Sequence, residues 1–266
     1  MLQPSDASTY GRPGAPAGAQ ENSGPARVRA GRRNIIATTP AGKGQLRPYY
    51  RRLLEEFGPQ GWWPAETRLE VILGAILTQN TTWRNAALAI ARLRDAGMLD
   101  LARLRAIQPD LLESLIRPAG FYRQKARAIR NFVLWLDDAH GGSLDRMFAL
   151  PGEDLRQALL QLKGLGPETA DAILLYAGGL PFFVADAYTR RILIRHGVLG
   201  RDADYAEAQR SIHRGLKRDA GVYNEFHALL VEAGKRYCRR DEPRCESCPL
   251  GAFLPQGGPV PLTAAS

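Results

Sequence analysis

The run Leu162-Lys163-Gly164-Leu165-Gly166-Pro167-Glu168-Thr169-Ala170, with Asp186 eighteen residues after Glu168, has the types and spacing for chemistry on an anion. The pattern predicts a helix end, a Gly-x-Gly hairpin and a new helix. Such a turn points backbone N–H groups outward, and the following helix N-terminus adds partial positive charge. Gly164 and Gly166 suit a tight turn and close approach to a phosphate because neither carries a Cβ. Asp186 then places a carboxylate within reach of whatever the hairpin holds. It also suits the N-cap of a helix over 187–196, and the two roles are compatible. Glu168 falls in the first turn of the hairpin's second helix, where the macrodipole favours a carboxylate.

Three of the four tryptophans, Trp62, Trp63 and Trp83, fall close together in sequence. Flat rings of this kind can stack on a planar ligand, and they serve equally well as core. Trp135 lies far from them and is assigned to the core. Cys238, Cys245 and Cys248 are the only cysteines. An odd number without pairing argues against a secreted disulfide scaffold and for a reducing cytoplasm.

The elements that position these residues read as helices. Thr67-x-x-Glu70 forms a capping box ahead of Leu69, Val71, Ile72, Ala75 and Ile76. Helical periodicity continues over 85–96, 111–116, 125–136, 152–162, 169–177, 187–196, 205–217 and 223–237. Breaks fall at Gly97, at Arg117-Pro118-Ala119-Gly120, at Gly178-Gly179 and at Gly197. No alternating strand pattern is found, so an all-α fold is expected. Residues 1–43 are rich in Ala, Gly, Pro and Ser and read as a disordered basic arm. Residues 251–266 read as a loose tail.

Composition sets the outer limits. Across 266 residues the hydrophobic content is 45%, ordinary for a globular chain. No apolar run is long enough for a membrane span. The net charge of +9 fits a polyanionic partner. Part of it belongs to the arm, where six basic residues face Asp6 and Glu21.

The hairpin, together with Val184-Ala185-Asp186-Ala187-Tyr188-Thr189-Arg190-Arg191, resembles the endonuclease III superfamily of helix-hairpin-helix DNA glycosylases. Trp62-Trp63-Pro64, Leu77-Thr78-Gln79-Asn80, Phe121-Tyr122-Arg123-Gln124-Lys125 and Tyr223-Asn224-Glu225-Phe226-His227 are similar to the branch that includes 3-methyladenine glycosylases. The resemblance covers most of residues 48–250. It implies a middle helical lobe at 69–180 and a second lobe from 44–68 plus 181–250. Double-stranded DNA with a damaged base would cross the cleft between them, bound by a monomer, with the protein cytoplasmic and nucleoid-associated.

The resemblance also implies roles for single residues. Asp186 would stabilise the oxocarbenium-like sugar and orient the attacking water. Glu168 stands where the bifunctional members carry a lysine. A lysine there attacks C1′ and forms a Schiff base; a glutamate forms no imine, so base excision without strand cleavage is expected. Trp62, Trp63 and Trp83 surround the lesion pocket, where a cationic alkylated purine gains a cation–π contribution of about one to two kcal/mol. Gln79 and Asn80 occupy the place of a wedge that fills the gap left by the flipped nucleotide. Gly164 and Gly166 would anchor phosphate. The Gly120 turn, Lys125 and Arg127 resemble a second hairpin on the backbone, joined by Arg190, Arg191 and Arg195.

Cys238-x6-Cys245-x2-Cys248 resembles the iron–sulfur loop of the family, with Leu254 where a fourth cysteine is due. The loop is therefore three-ligated, degenerate, or bound to another metal such as zinc; a vestigial loop without a stable cluster is the expected state. Two other readings stay open: an endonuclease III-type glycosylase and lyase on oxidised pyrimidines, and a non-catalytic module that binds damaged DNA.

Overall fold

The computed structural model describes residues 46–262; the arm expected at 1–43 lies outside them. Twelve α-helices carry the described chain: α1 (Arg47–Phe57), α2 (Arg68–Leu77), α3 (Trp83–Asp95), α4 (Leu101–Ala106), α5 (Pro109–Ile116), α6 (Tyr122–His140), α7 (Leu144–Phe148), α8 (Gly152–Leu160), α9 (Pro167–Ala172), α10 (Ala187–Arg195), α11 (Tyr205–Gly215) and α12 (Ala220–Arg236). No strand occurs among the described residues, and the fold is all-α. No helix among them is long and apolar enough to cross a membrane.

Caps set the helix starts. Thr67, Thr82, Asp100, Ser143, Asp186, Asp204 and Asp219 each accept a backbone N–H three residues on, satisfying one of the orphan donors of a first turn. The Thr67 box closes on one side only. Glu70 N–H donates to Thr67 Oγ1 at 3.1 Å, but the Glu70 carboxylate reaches past Thr67 to the N–H of Glu66 and pairs with Arg94 of α3. That pairing explains how a glutamate sits 4% exposed in the most apolar helix.

Every residue of α2 from Leu69 to Leu77 is buried. Each large aliphatic side chain there contributes about 1.5–3 kcal/mol on burial, which makes α2 the keystone against α3, α6, α9 and the turn after α9. That turn, Ile173–Ala177, is a π-helical widening that continues α9. α12 packs on α1, on α10 and on the π-turn. Two helices from distant parts of the sequence, α9 with its π-turn and α12, therefore meet beside the start of α10.

The segment after Leu250 differs from its reading as loose tail. Phe253 stacks on Tyr49 of α1 with ring centroids 4.9 Å apart, and Val260 N–H donates to Arg195 O at 2.9 Å. One aromatic side chain and one backbone N–H of this segment thus find partners on α1 and α10.

Candidate active site

The hairpin forms as its residues dictate. Leu165 N–H closes on Leu162 O at 3.0 Å, and Gly164 takes φ +104°, a conformation open to glycine. A Cβ at Gly164 would lie 2.7 Å from Ala128 Cβ on α6, so the glycine is required by packing as well as by the turn. Gly166 is different: its φ is −95° and nothing lies within 4 Å of a Cβ there. It keeps the outer face of the hairpin open, as the N-cap of α9 without a side-chain cap. Pro167 fills the first turn, where a missing N–H costs nothing.

Behind the hairpin lies a cavity of about 140 Å³ lined by Trp62, Trp63, Trp83, Glu168, Tyr176, Asp186, Tyr188, His227 and Lys235, among others. The three tryptophans come together as expected. Trp63 and Trp83 meet edge to face at 4.9 Å, Trp62 lies 5.2 Å from Trp83, and Tyr176 approaches Trp63 at 5.0 Å. Gly74 allows this: a Cβ on it would stand 3.0 Å from the Trp63 ring. Trp135 instead packs at the core, against Phe132 and His140.

Asp186 caps α10 and borders the cavity. Its Oδ1 accepts the N–H of Thr189 at 2.8 Å, capping α10, while Oδ2 lies 3.6 Å from His227 Nε2. That distance is a close electrostatic contact rather than a formed hydrogen bond. Burial alone would raise this carboxyl. His227 and the Thr189 N–H together outweigh burial and hold it below its ordinary range. Glu168 goes the other way. Protein packed on its inner side desolvates it and the charge of Asp186 adds to that, so its carboxyl is raised although it is exposed at the rim.

Four expected DNA contacts are placed otherwise. Gln79 does not project outward: its Nε2 donates to Gly164 O at 3.0 Å and to Thr169 Oγ1 at 2.8 Å, tying the end of α2 to the hairpin. Lys125 is 3% exposed, and its ammonium donates to Leu77 O at 2.9 Å and Ala119 O at 2.7 Å. Desolvation lowers its pKa to about 8. Lys125 thus fastens two turns together instead of touching phosphate. Arg191 donates to Cys238 O at 2.6 Å and lies over the Tyr188 ring, and Arg195 is buried on the carbonyls of Arg239 and Arg240. Lys125, Arg191 and Arg195 each bring a long cationic side chain to backbone carbonyls inside the fold.

The two turns joined by Lys125 present Asn80 and Phe121, both exposed and both at positive φ (+49° and +45°). A bulky residue in that conformation is uncommon. The structure also adds residues that the sequence reading left without a role: Tyr176, Tyr188, His227 and Lys235. A signal for two of them existed. His227, Val231 and Lys235 recur every four residues, and all three line the cavity from one face of α12.

Residues 73–218 match the family described as HhH-GPD superfamily base excision DNA repair protein. The chain is 42% identical over 207 residues to a candidate DNA repair glycosylase of Methanocaldococcus jannaschii, covering 77% of this chain and 93% of that protein. The chain belongs to the HhH-GPD superfamily.

It is a base excision DNA repair glycosylase of that superfamily. Endonuclease III of Sulfolobus acidocaldarius is 29% identical over 178 residues, covering 66% of this chain and 77% of that one. A non-covalent endonuclease III–DNA complex shares the fold, with a TM-score of 0.69 at 24% identity over 81% of this chain and 96% of that one. The H. pylori 3-methyladenine DNA glycosylase bound to 1,N6-ethenoadenine has a TM-score of 0.62 at 27% identity, covering 71% and 96% of the two chains.

The cysteine loop does not fit a four-thiolate cluster. Cys238, Cys245, Cys248 and Leu254 line one small cavity with Arg195 and His196, and Leu254 has no donor atom. Among the described residues no set of three or more His, Cys, Asp or Glu side chains is arranged to hold a metal ion. Arg195 Nη1 donates to Cys238 Sγ at 3.3 Å, so a guanidinium clasps the loop.

Proposed function

We propose that this glycosylase is monofunctional and hydrolyses the N-glycosidic bond of alkylated purines of the 3-methyladenine type. The observation that carries the reading is one cavity in which three tryptophans and Tyr176 face a carboxylate held below its ordinary range. A cationic alkylpurine stacks on such rings with a gain that a neutral base lacks. As the C1′–N bond breaks, its electron pair leaves with the base, whose positive charge is thereby cancelled. The sugar becomes oxocarbenium-like, and the Asp186 carboxylate faces that cation and receives the proton of the water that attacks C1′. The relation to a 3-methyladenine glycosylase structure supports the same substrate class.

Outside the cavity, the open hairpin at Gly166 and the first turn of α9 suit a phosphate, and Asn80 with Phe121 suits the space vacated by the flipped nucleotide. The enzyme acts as a monomer across two lobes, in contact with damaged duplex DNA.

A second reading has one observation in its favour. Lys235 places a primary amine among the cavity residues, although Glu168 removes the amine expected at the hairpin. An attack by Lys235 on C1′ would give an imine and strand cleavage. The experiment is base release from methylated duplex DNA by wild type and Asp186→Asn, with nicking followed without alkali and borohydride present in a parallel sample. Release of 3-methyladenine that is lost in the variant, without nicking, is expected. A borohydride-trapped complex that disappears in Lys235→Gln would establish the lyase reading. No base release by wild type, with damaged-DNA binding unchanged in Asp186→Asn, would leave a non-catalytic damage-binding protein.

A further inference from the structure

Resting on the glycosylase reading above, we propose that His227 is the positioning residue for Asp186, its Nε2–H directed at the free carboxylate oxygen so that this oxygen faces the sugar. His227 is 7% exposed, sits on α12 and borders the cavity. Its Nδ1 is hydrogen-bonded to the Tyr176 hydroxyl. Its Nε2 is buried without a hydrogen-bond partner, 3.6 Å from Asp186 Oδ2. A buried polar atom in that state calls for an explanation.

The ring's tautomer follows from Asp186. A carboxylate oxygen only accepts, so the Nε2 that faces Asp186 Oδ2 at 3.6 Å carries the hydrogen, and Nδ1 is left to accept from the Tyr176 hydroxyl, which can play either part. A neutral imidazole that accepts at Nδ1 carries its hydrogen on Nε2. That hydrogen points into the space shared by Asp186 and the cavity. The other Asp186 oxygen is committed to Thr189 N–H, so the carboxylate is gripped from α10 on one side and steered from α12 on the other. The gap of 3.6 Å leaves room for the contact to tighten when a sugar cation develops, as such bonds commonly do between the free and bound enzyme.

The remaining groups that face this pair are Glu168 on α9, Tyr176 in the π-turn, Lys235 on α12 and, through Glu168, Arg190 on α10. Burial is the strongest influence on Asp186 and acts to protonate it; His227 is the first influence that opposes burial. Without His227, Asp186 protonates at higher pH.

The test begins on DNA-free protein. The chain has four histidines, so nitrogen-15 histidine labelling gives a spectrum simple enough to assign. Long-range proton–nitrogen spectra are expected to show His227 as the Nε2–H tautomer, with its Nε2 signal shifted in Asp186→Asn. A hydrogen on Nδ1, or a signal indifferent to Asp186→Asn, overturns the proposal. This reading needs no turnover, so it stands or falls separately from the glycosylase assignment, which wild-type base release decides. Single-turnover base release then compares His227→Leu with His227→Gln, whose amide restores a donor. A loss of about 10–100-fold is expected in His227→Leu, the range found when the outer partner of a metal-ligating side chain is removed. The acid limb of the His227→Leu profile should move to higher pH and return toward wild type in His227→Gln. Equal losses in both variants with an unmoved acid limb overturn the proposal.

Discussion

Two carboxylates flank the π-turn, and the chain treats them in opposite ways. Asp171 is 0% exposed with its acceptors filled: Arg156 donates through Nε at 2.6 Å and Nη2 at 3.0 Å, Tyr205 OH at 2.8 Å and Gln209 Nε2 at 2.7 Å. Those donors come from α8 and α11, so Asp171 knots three helices together. Asp186 has one committed hydrogen bond, to Thr189 N–H, and an oxygen turned toward His227 and the cavity. A carboxylate whose lone pairs are consumed holds structure; one with a spare oxygen beside a hollow can do chemistry. Burial alone does not separate the two. The count of satisfied acceptors does.

Breaking Asp171 should give the largest effect on stability. Asp171→Ala strands Arg156, which is 17% exposed, without its partner. Removing one member of a buried pair costs about 3–5 kcal/mol. Urea denaturation should record that loss, and base release at low temperature should survive in whatever fraction stays folded.

The converse holds for Asp186→Asn. Asparagine caps a helix about as well as aspartate, so stability should change by roughly 0.5 kcal/mol or less. Base release should fall by about 10²–10⁴-fold, the range for a positioned group that handles the proton. Destabilisation by Asp186→Asn together with activity in Asp171→Ala would reverse the assignment of the two residues.

Trp83→Ala sharpens the comparison from the substrate's side. It removes one wall of the cavity and leaves both carboxylates alone. Stacking of a base on an aromatic ring contributes about 1–3 kcal/mol, so alkylpurine release should weaken about tenfold. The weakening should be smaller for a neutral excised base, which lacks the cation–π contribution. Competition between methylated and neutral-lesion duplexes measures the difference. An equal weakening for both would remove the cationic selection from the proposed function.

What the sequence discloses follows from how local each feature is. The hairpin, the Asp186 cap and the Thr67 cap each depend on residues within a few positions, and all three form. The tryptophans could be grouped because Trp62, Trp63 and Trp83 bracket a single helix. Gln79, Lys125 and Arg191 make contacts that the sequence does not show for one reason: composition shows a polar side chain but not the carbonyls that it meets, and those belong to segments as far away as Gly164 and Cys238. Asp171 and His227 escaped because their partners sit 34 and 51 residues away on other helices. Only the packing of α12 against the π-turn makes His227 a neighbour of Asp186.

The smallest expected effect belongs to the third carboxylate, Glu168, which stands between the other two in character. It is exposed at the rim, yet desolvation and the charge of Asp186 raise its pKa in the folded state above 4.5, the value of an unperturbed glutamate. A raised carboxyl costs stability when ionised. That cost is full above the folded pKa, where both states are ionised, and disappears below 4.5, where both are protonated. Glu168→Gln should therefore be slightly more stable than wild type near neutral pH, with the two melting curves converging as pH falls through the glutamate range. Solvent at the rim screens the effect, so a shift in Tm is the suitable readout. Asp186 works in the opposite sense, since its lowered carboxyl supports the fold down to pH values below 3.8, where an ordinary aspartate has begun to protonate. If Glu168→Gln were less stable than wild type at neutral pH, Glu168 would be a satisfied structural carboxylate like Asp171, and the rim of the cavity would hold no strained charge.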